Sequence, residues 1–250
     1  MTHARTFTAA FLALSITGYS GAQTVRCTTW NLEWFPSGSA KEASAEQQNQ
    51  RIKEAADVLR PINADIVLLQ VFPNMGLGVL ARDPQMRTLA YDEEWTFFLP
   101  VELPSLRVNL LATWAFNHRA KSLGDGRIGT CLPVIDSMAG WLAQPRSVMA
   151  GDFNHHPRWD TPCGRNNFRD VCSSLSSLGL KSAYHTATGE AHGAELQSTH
   201  YLHRKHERPY HIDYCFVHSG SRLRQAQVGA FEEWRKVSDH VPVIVDVEDA

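Results

Sequence analysis

Residues 147 to 154, Ser147-Val148-Met149-Ala150-Gly151-Asp152-Phe153-Asn154, form a short apolar run that stops at a glycine and then presents an acid and an amide. Val148 to Ala150 have the length and bounds of a buried strand. Gly151 lets the backbone turn or come close to a ligand. Asp152 and Asn154 lie two apart, so they share a face if the chain stays extended. A carboxylate and an amide at a buried strand end can hold a water, a metal ion or a phosphate oxygen. Taken alone, Gly-Asp-x-Asn is an ordinary turn closing a strand. Its weight comes from what the other strand ends carry.

The elements around it alternate. Val25 to Leu32 reads as a strand that sets Val25, Cys27 and Thr29 on one face and Arg26, Thr28 and Trp30 on the other. Ser44 to Arg60 reads as a helix with Ile52, Ala55, Ala56 and Leu59 at helical spacing and Pro61 just beyond its end. Ile66 to Val71 is a short apolar strand. Signals are weaker from Val79 to Leu99, with strands expected near Leu89 and over Trp95 to Leu99. Leu106 to Phe116 predicts a strand, Ile128 to Leu142 a helix, and Phe168 to Leu178 another helix. Thr199 to Leu202, His211 to Val217, Gln225 to Ala230 and Val241 to Val247 predict closing strands. Many strands with a few helices between them predict an α/β fold of two sheets packed together and flanked by helices. The 250 residues are 43% hydrophobic and 20% charged, enough for one such core without a second domain.

The first residues predict something else. His3 and Arg5 precede an apolar run from Phe7 to Ile16, and Ser20 and Ala22 supply small residues where a signal peptidase cuts. Residues 1–22 are therefore expected to be a signal peptide and 23–250 the mature domain, secreted or periplasmic. The apolar run is too short for a bilayer span, and no later stretch predicts one. Five cysteines, at positions 27, 131, 163, 172 and 215, include no C-x-x-C pair, which argues against a cysteine zinc site and a full disulfide framework. Cys163 with Cys172 is the one locally plausible pair, and free buried thiols are expected.

Four strand ends carry polar residues in order: Trp30-Asn31-Leu32-Glu33, Gly151-Asp152-Phe153-Asn154, His211-Ile212-Asp213-Tyr214 and Ser238-Asp239-His240. Together they resemble the endonuclease/exonuclease/phosphatase superfamily, which includes deoxyribonuclease I-like enzymes, over Val25 to Val247. The run from Arg204 to Tyr214 looks like its small bacterial members. The resemblance implies a four-layer α/β sandwich, two mixed β-sheets face to face with helices outside and the site at one rim. It implies a phosphodiesterase using Mg²⁺ or Mn²⁺, a cation that takes oxygen ligands and neutralises phosphate charge. Asn31 and Asp239 match residues at the metal. Asp213 matches the carboxylate that orients His240, and His240 matches the histidine beside the scissile phosphate. Asp152 matches the residue that aligns or deprotonates the attacking water, and Asn154 a phosphate ligand.

Two positions depart from the family pattern. The second strand normally ends Leu-Gln-Glu, the glutamate being a principal metal ligand, whereas this chain reads Leu69-Gln70-Val71. A valine cannot ligate a cation. Glu33, two residues after Asn31, is the alternative acid, with an ordinary rim carboxylate as the competing reading. The segment from Pro73 to Arg87 also looks short. At the family's mid-chain histidine, strand register aligns Trp114, whereas the Asn117-His118 pair keeps the chemistry through His118.

The formal net charge of -2 excludes a global basic field for nucleic acid, so an anionic substrate needs a local patch or a cation. His203, Arg204, Lys205, His206 and Arg208 form the densest cationic run, and Arg204, Lys205 and Arg208 are expected to bind substrate phosphates, against the plainer reading of a solvated hairpin. Trp30, Trp34, Trp114 and Phe153 stand near strand ends, where core packing competes with base stacking. His155 and His156 follow Asn154, and a histidine pair alone is a weak metal signal. The expected activity is hydrolysis of DNA or RNA by a monomer. The alternatives are a phospholipid or phosphomonoester hydrolase, or a member silenced at Val71 that binds phosphate ligands without turnover.

Overall fold

A computed structural model describes residues 23–33, 44–72, 76–90, 95, 97–116, 129–162 and 166–249. The expected signal peptide, Trp34, His118 and Cys163 lie outside the described residues. One sheet has the order β12-β13-β1-β2-β3. Its strands are β1 (Val25–Glu33), β2 (Ile66–Phe72), β3 (Gly76–Ala81), β12 (Ser221–Val228) and β13 (Val243–Asp249). The other has the order β4-β5-β6-β7-β11-β8. It contains β4 (Arg87–Thr88), β5 (Phe98–Leu103), β6 (Val108–Trp114), β7 (Ser147–Asp152), β8 (Leu180–Ser182) and β11 (Asp213–His218). Both sheets are mixed: β1 pairs with β2, and β6 with β7, in parallel, and the other pairs are antiparallel. A ribbon of β9 (His200–Tyr201) and β10 (Pro209–Tyr210) stands apart.

Burial separates the layers. Val25, Cys27, Ile66 and Leu68 from the first sheet meet Leu110, Ala112, Val148, Ala150 and Cys215 from the second, forming the central core. The outer face of the second sheet, with Leu111, Met149, Tyr214 and Phe216, packs on α2 (Cys131–Ser137) and α4 (Phe168–Ser177). On the first sheet, Trp30 and Leu32 pack on α1 (Ala45–Leu59) and α6 (Phe231–Trp234). The result is the expected four-layer α/β sandwich. Each fully buried leucine or valine contributes roughly 1.5–3 kcal/mol, so the central core fixes the spacing of the sheets far more firmly than any rim contact.

Some expectations shift. Ser44 caps α1 through a capping box with Gln47, as Ser-x-x-Gln implies. The buried face of α1, however, runs through Arg51 and Ala55 with Val58 and Leu59, leaving Ile52 52% exposed. Arg51 turns inward because its guanidinium donates to the Val237 carbonyl. The helix expected over Ile128 to Leu142 is two short ones, α2 and α3 (Ala139–Leu142), because Met138 leaves helical geometry at φ -101°, ψ 12° beside Gly140. The strand expected from His211 begins at Asp213, because the Ile212 and Asp213 N–H groups both donate to Thr199 Oγ1 at 3.0 Å. β3 carries Gly76 and Gly78, which masked its alternating Leu77 and Val79. α5 (Ala183–Thr188) was not expected. Cys27, Cys131, Cys172 and Cys215 carry free thiols.

Candidate functional site

Three strand ends of the second sheet meet in register. Asp152 is the Cα partner of Trp114 on one side and of Asp213 on the other. Gly151 makes this close approach feasible. Its φ is 146°, and a Cβ there would lie 1.7 Å from the Thr113 carbonyl oxygen. Asn31 comes from the other sheet, and its Nδ2 donates to Asp152 Oδ2 at 2.8 Å. Asn154, in left-handed geometry at φ 49°, folds back over the same carboxylate. Its backbone N–H donates to Asp152 Oδ1 at 2.8 Å and its Nδ2 to Oδ2 at 2.9 Å. The expected extended Asp-x-Asn face is thus a turn around the aspartate.

The Ser238-Asp239-His240 segment is pinned onto β1. Ser238 Oγ donates to the Asn31 carbonyl at 2.7 Å and accepts from His240 N–H at 3.0 Å, and Trp30 Nε1 donates to the His240 carbonyl at 3.0 Å. This presents His240 Nδ1 to Asp213 Oδ2 at 2.8 Å. Asp152, Asp213 and His240 bring ligand-type atoms within 4.8 Å of one another, and so do His200, Asp239 and His240. His240 therefore joins both groups, and Asn31, Asp152, Asp213, Asp239 and His240 converge on one rim.

The electrostatics follow from burial. Asp152 is 1% exposed, and its carboxyl is pushed up to about 7 by burial first and Asp213 second, against His240, Asn31 and the Asn154 amide. Burial alone would depress the His240 imidazole. Asp213, by charge and hydrogen bond, then Asp152 and Asp239, outweigh it and raise the group to about 10. Burial opposes the charge on Asp239 too, but the His200 hydrogen bond and the field of His240 hold it below the usual carboxylate range. At neutral pH the arrangement presents an ionised Asp239, an imidazolium at His240 and an Asp152 poised between its two forms.

His200 was missed in the sequence. Its Nε2 sits 3.4 Å from Asp239 Oδ2, its ring lies 4.3 Å from that of His240, and its Nδ1 is buried without a partner. A His-Tyr pair between two loops gave no periodic signal. Tyr210 lies 6.0 Å from His200 and 5.3 Å from Trp159, with Arg158 5.8 Å over its ring, forming an aromatic wall beside the rim. His155 is inside instead, held between the Phe153 and Asn166 carbonyls. Trp114 is a core residue packed edge-to-face on Phe97 and tilted against Phe116, and Trp30 and Phe153 are core residues as well. Val71 lies in β2 opposite Leu32, one residue past the Asn31–Gln70 pair, and Glu33 ends β1. Their side chains lie outside the described atoms. The β9–β10 hairpin carries the basic run. Arg204 reaches the Lys236 and Val237 carbonyls at 3.4 Å, whereas Lys205 and Arg208 are exposed.

A profile of the Endonuclease/Exonuclease/phosphatase family matches residues 113–240, just over half of the chain. The protein belongs to that family. No curated protein sequence matches it. Among solved structures it is similar to an endonuclease/exonuclease/phosphatase from Beutenbergia cavernae, with TM-score 0.58 and 15% identity over 91% of this chain and 72% of that one. It is similar to a 3′ phosphatase, NExo, from Neisseria bound to a product DNA hairpin, with TM-score 0.58 and 16% identity over 88% and 98%. A humanized TDP2 from D. rerio gives TM-score 0.57 and 13% identity over 90% and 98%. At these identities the likeness is one of fold.

The family uses a divalent cation, and the residues present fit one. Asp239 is an ionised oxygen donor, and Asn31, whose Nδ2 is engaged by Asp152, has its carbonyl oxygen left for a ligand. Asp213 Oδ1 is buried without a partner among the described residues. One carboxylate, an amide and substrate oxygens are a sufficient set for a cation that keeps several waters.

Proposed function

We propose that the protein is a metal-dependent phosphodiesterase acting on nucleic acid. The observation that carries this is the position of His240, shared by an Asp152–Asp213 pair and an Asp239–His200 pair. Asn31 and Asp239 would hold Mg²⁺ or Mn²⁺, which supplies charge neutralisation at the phosphoryl oxygens. Asp152 accepts the proton of a water aimed at phosphorus, and Asn31 and Asn154 fix the carboxylate for that attack. Asp213 holds Nδ1 of the imidazolium, so His240 Nε2–H faces the phosphoryl group. The P–O bond to the leaving oxygen then breaks.

Two features favour a polynucleotide over a lipid. The His200–Tyr210–Trp159 wall offers aromatic faces for bases, and Lys205 and Arg208 sit exposed on the adjoining hairpin. Among the described residues the exposed large apolar side chains are Ile52 and Leu196, too few for a membrane-docking patch. Plasmid nicking and hydrolysis of a small aryl phosphodiester, with and without cation and beside Asp152→Ala, test the reading. Product in neither assay overturns it and favours a phosphate-binding protein silenced at Val71. Export through residues 1–22 is part of the same proposal, and N-terminal sequencing of the secreted chain, expected to begin at Gln23, checks it.

A further inference from the structure

A second group of donors shares no residue with the rim site. His185 is in α5, and His192 and Glu195 are in the segment that leads from α5 to β9. Their ligand-type atoms lie within 4.8 Å of one another. The His185 and Glu195 side chains are 9% and 3% exposed, and His185 Nε2 is 3.0 Å from Glu195 Oε1. An ordinary buried ion pair would account for those two but not for His192. Among the described residues its buried Nδ1 has no partner, and its Nε2 lies 3.9 Å from Cys172 Sγ. A half-buried imidazole with neither nitrogen conventionally bonded is costly, because it gives up hydrogen bonds to water without regaining them. The His185 and His192 ring centroids are 3.6 Å apart, closer than the roughly 4.5–7 Å at which aromatic rings normally pair. His211, 2% exposed, leaves its Nε2 unpartnered beside them, 5.7 Å from His185 between ring centroids.

We propose that His185, His192 and Glu195 form a metal site for one Zn²⁺, with the fourth position open to water. Two imidazoles and a carboxylate are a nitrogen and oxygen set that suits zinc better than magnesium. Outer partners already orient the ligands. Ser182 Oγ lies 2.7 Å from His185 Nδ1, and the Gly193 N–H donates to Glu195 Oε1 at 2.8 Å. The ion would clamp α5 and the 189–199 segment together. That segment ends at Thr199, whose Oγ1 takes the N–H groups of Ile212 and Asp213, so the clamp holds Asp213 in place from behind.

Elemental analysis of the full chain tests this, together with Co²⁺ spectroscopy after chelation. One zinc per chain is expected in the unaltered protein and in Asp239→Asn, and its loss in His192→Ala and Glu195→Gln. Adding Co²⁺ to the chelated protein should give tetrahedral d–d bands that His192→Ala removes. Chelation should lower the Tm by about 5 °C or more. Equal metal content in His192→Ala and the unaltered chain overturns the proposal, and so does failure of the chelated protein to take up Zn²⁺ or Co²⁺. Should the variants not fold, the cobalt spectrum of the unaltered chain decides. Absence of tetrahedral bands removes the site.

Discussion

His240 Nδ1 and Asp213 Oδ2 lie 2.8 Å apart with both side chains almost fully enclosed. The carboxylate fixes the tautomer of the ring and holds its charge. Asp213→Asn should therefore bring the His240 imidazole down from about 10 toward the ordinary histidine range. It should also slow hydrolysis by roughly 10²–10⁴-fold. Proton NMR titration of the ring in the metal-free protein reads the first effect, and the aryl phosphodiester assay reads the second. An unmoved titration would refute the pairing.

The cation preference should lean to Mn²⁺. Asp239 stands beside the His200 imidazole, and a nitrogen donor favours Mn²⁺ over Mg²⁺. His200→Ala should abolish the difference in activity between the two ions while leaving some Mg²⁺-dependent rate. Equal rates with both ions in the unaltered enzyme would dismiss a role for His200.

Val71→Glu should restore a carboxylate at the end of β2, next to the Asn31–Gln70 pair. Metal-dependent turnover is expected to rise by roughly 10–100-fold, the scale of a metal-site partner. Isothermal titration with Mn²⁺ and steady-state rates check it. If neither affinity nor rate changes, the family glutamate has no counterpart at this position.

Stability of the metal-free protein should fall as pH rises past neutrality. Asp152 is raised to about 7 in the fold, so between roughly pH 4 and 7 the folded chain keeps a proton that the unfolded chain releases. His240 is raised to about 10, so its contribution is complete below roughly pH 6.5 and is lost as pH climbs through 10. Both slopes have the same sign. Burial depresses His156, His192, His200 and His211, whose opposing contributions are complete above the ordinary histidine range of about 6.5. Urea midpoints measured from pH 7 to 9 should therefore decline, and Mn²⁺ should blunt the decline by binding only the folded state. A midpoint that rises over this interval contradicts the assignment.

Lys205→Ala with Arg208→Ala should weaken polynucleotide cleavage and flatten its salt dependence, and leave the small phosphodiester untouched. Rates at two ionic strengths with both substrates make the comparison. Equal loss on both substrates would place the hairpin at the reacting phosphate instead.

The strand ends Asn31, Asp152, Asp213 and Asp239-His240 were legible because each acid or amide closes or opens a run of β-branched or apolar residues, a pattern set by local burial. Burial on both faces of β6 and β7 leaves near-continuous apolar runs that read as strands in sequence. What was not legible depends on tertiary exchange of hydrogen bonds. Thr199 replaces a ladder partner for two amides before β11. Arg51 sits where a hydrophobic residue was expected, because a distant carbonyl needs its guanidinium. His200 sits in a two-residue strand, and His192 and Glu195 follow the short helix that carries His185, so spacing along the chain says little about their neighbours in space.

Asn31 and Asp152 sit on opposing sheets, so the span bridged by their hydrogen bond is set by the thickness of the apolar layer beneath them. Slimming that layer, for example at Val148 or Ile66, would let one sheet slide over the other before either came apart. Turnover would then register the loss of a methyl group well before a melting curve did.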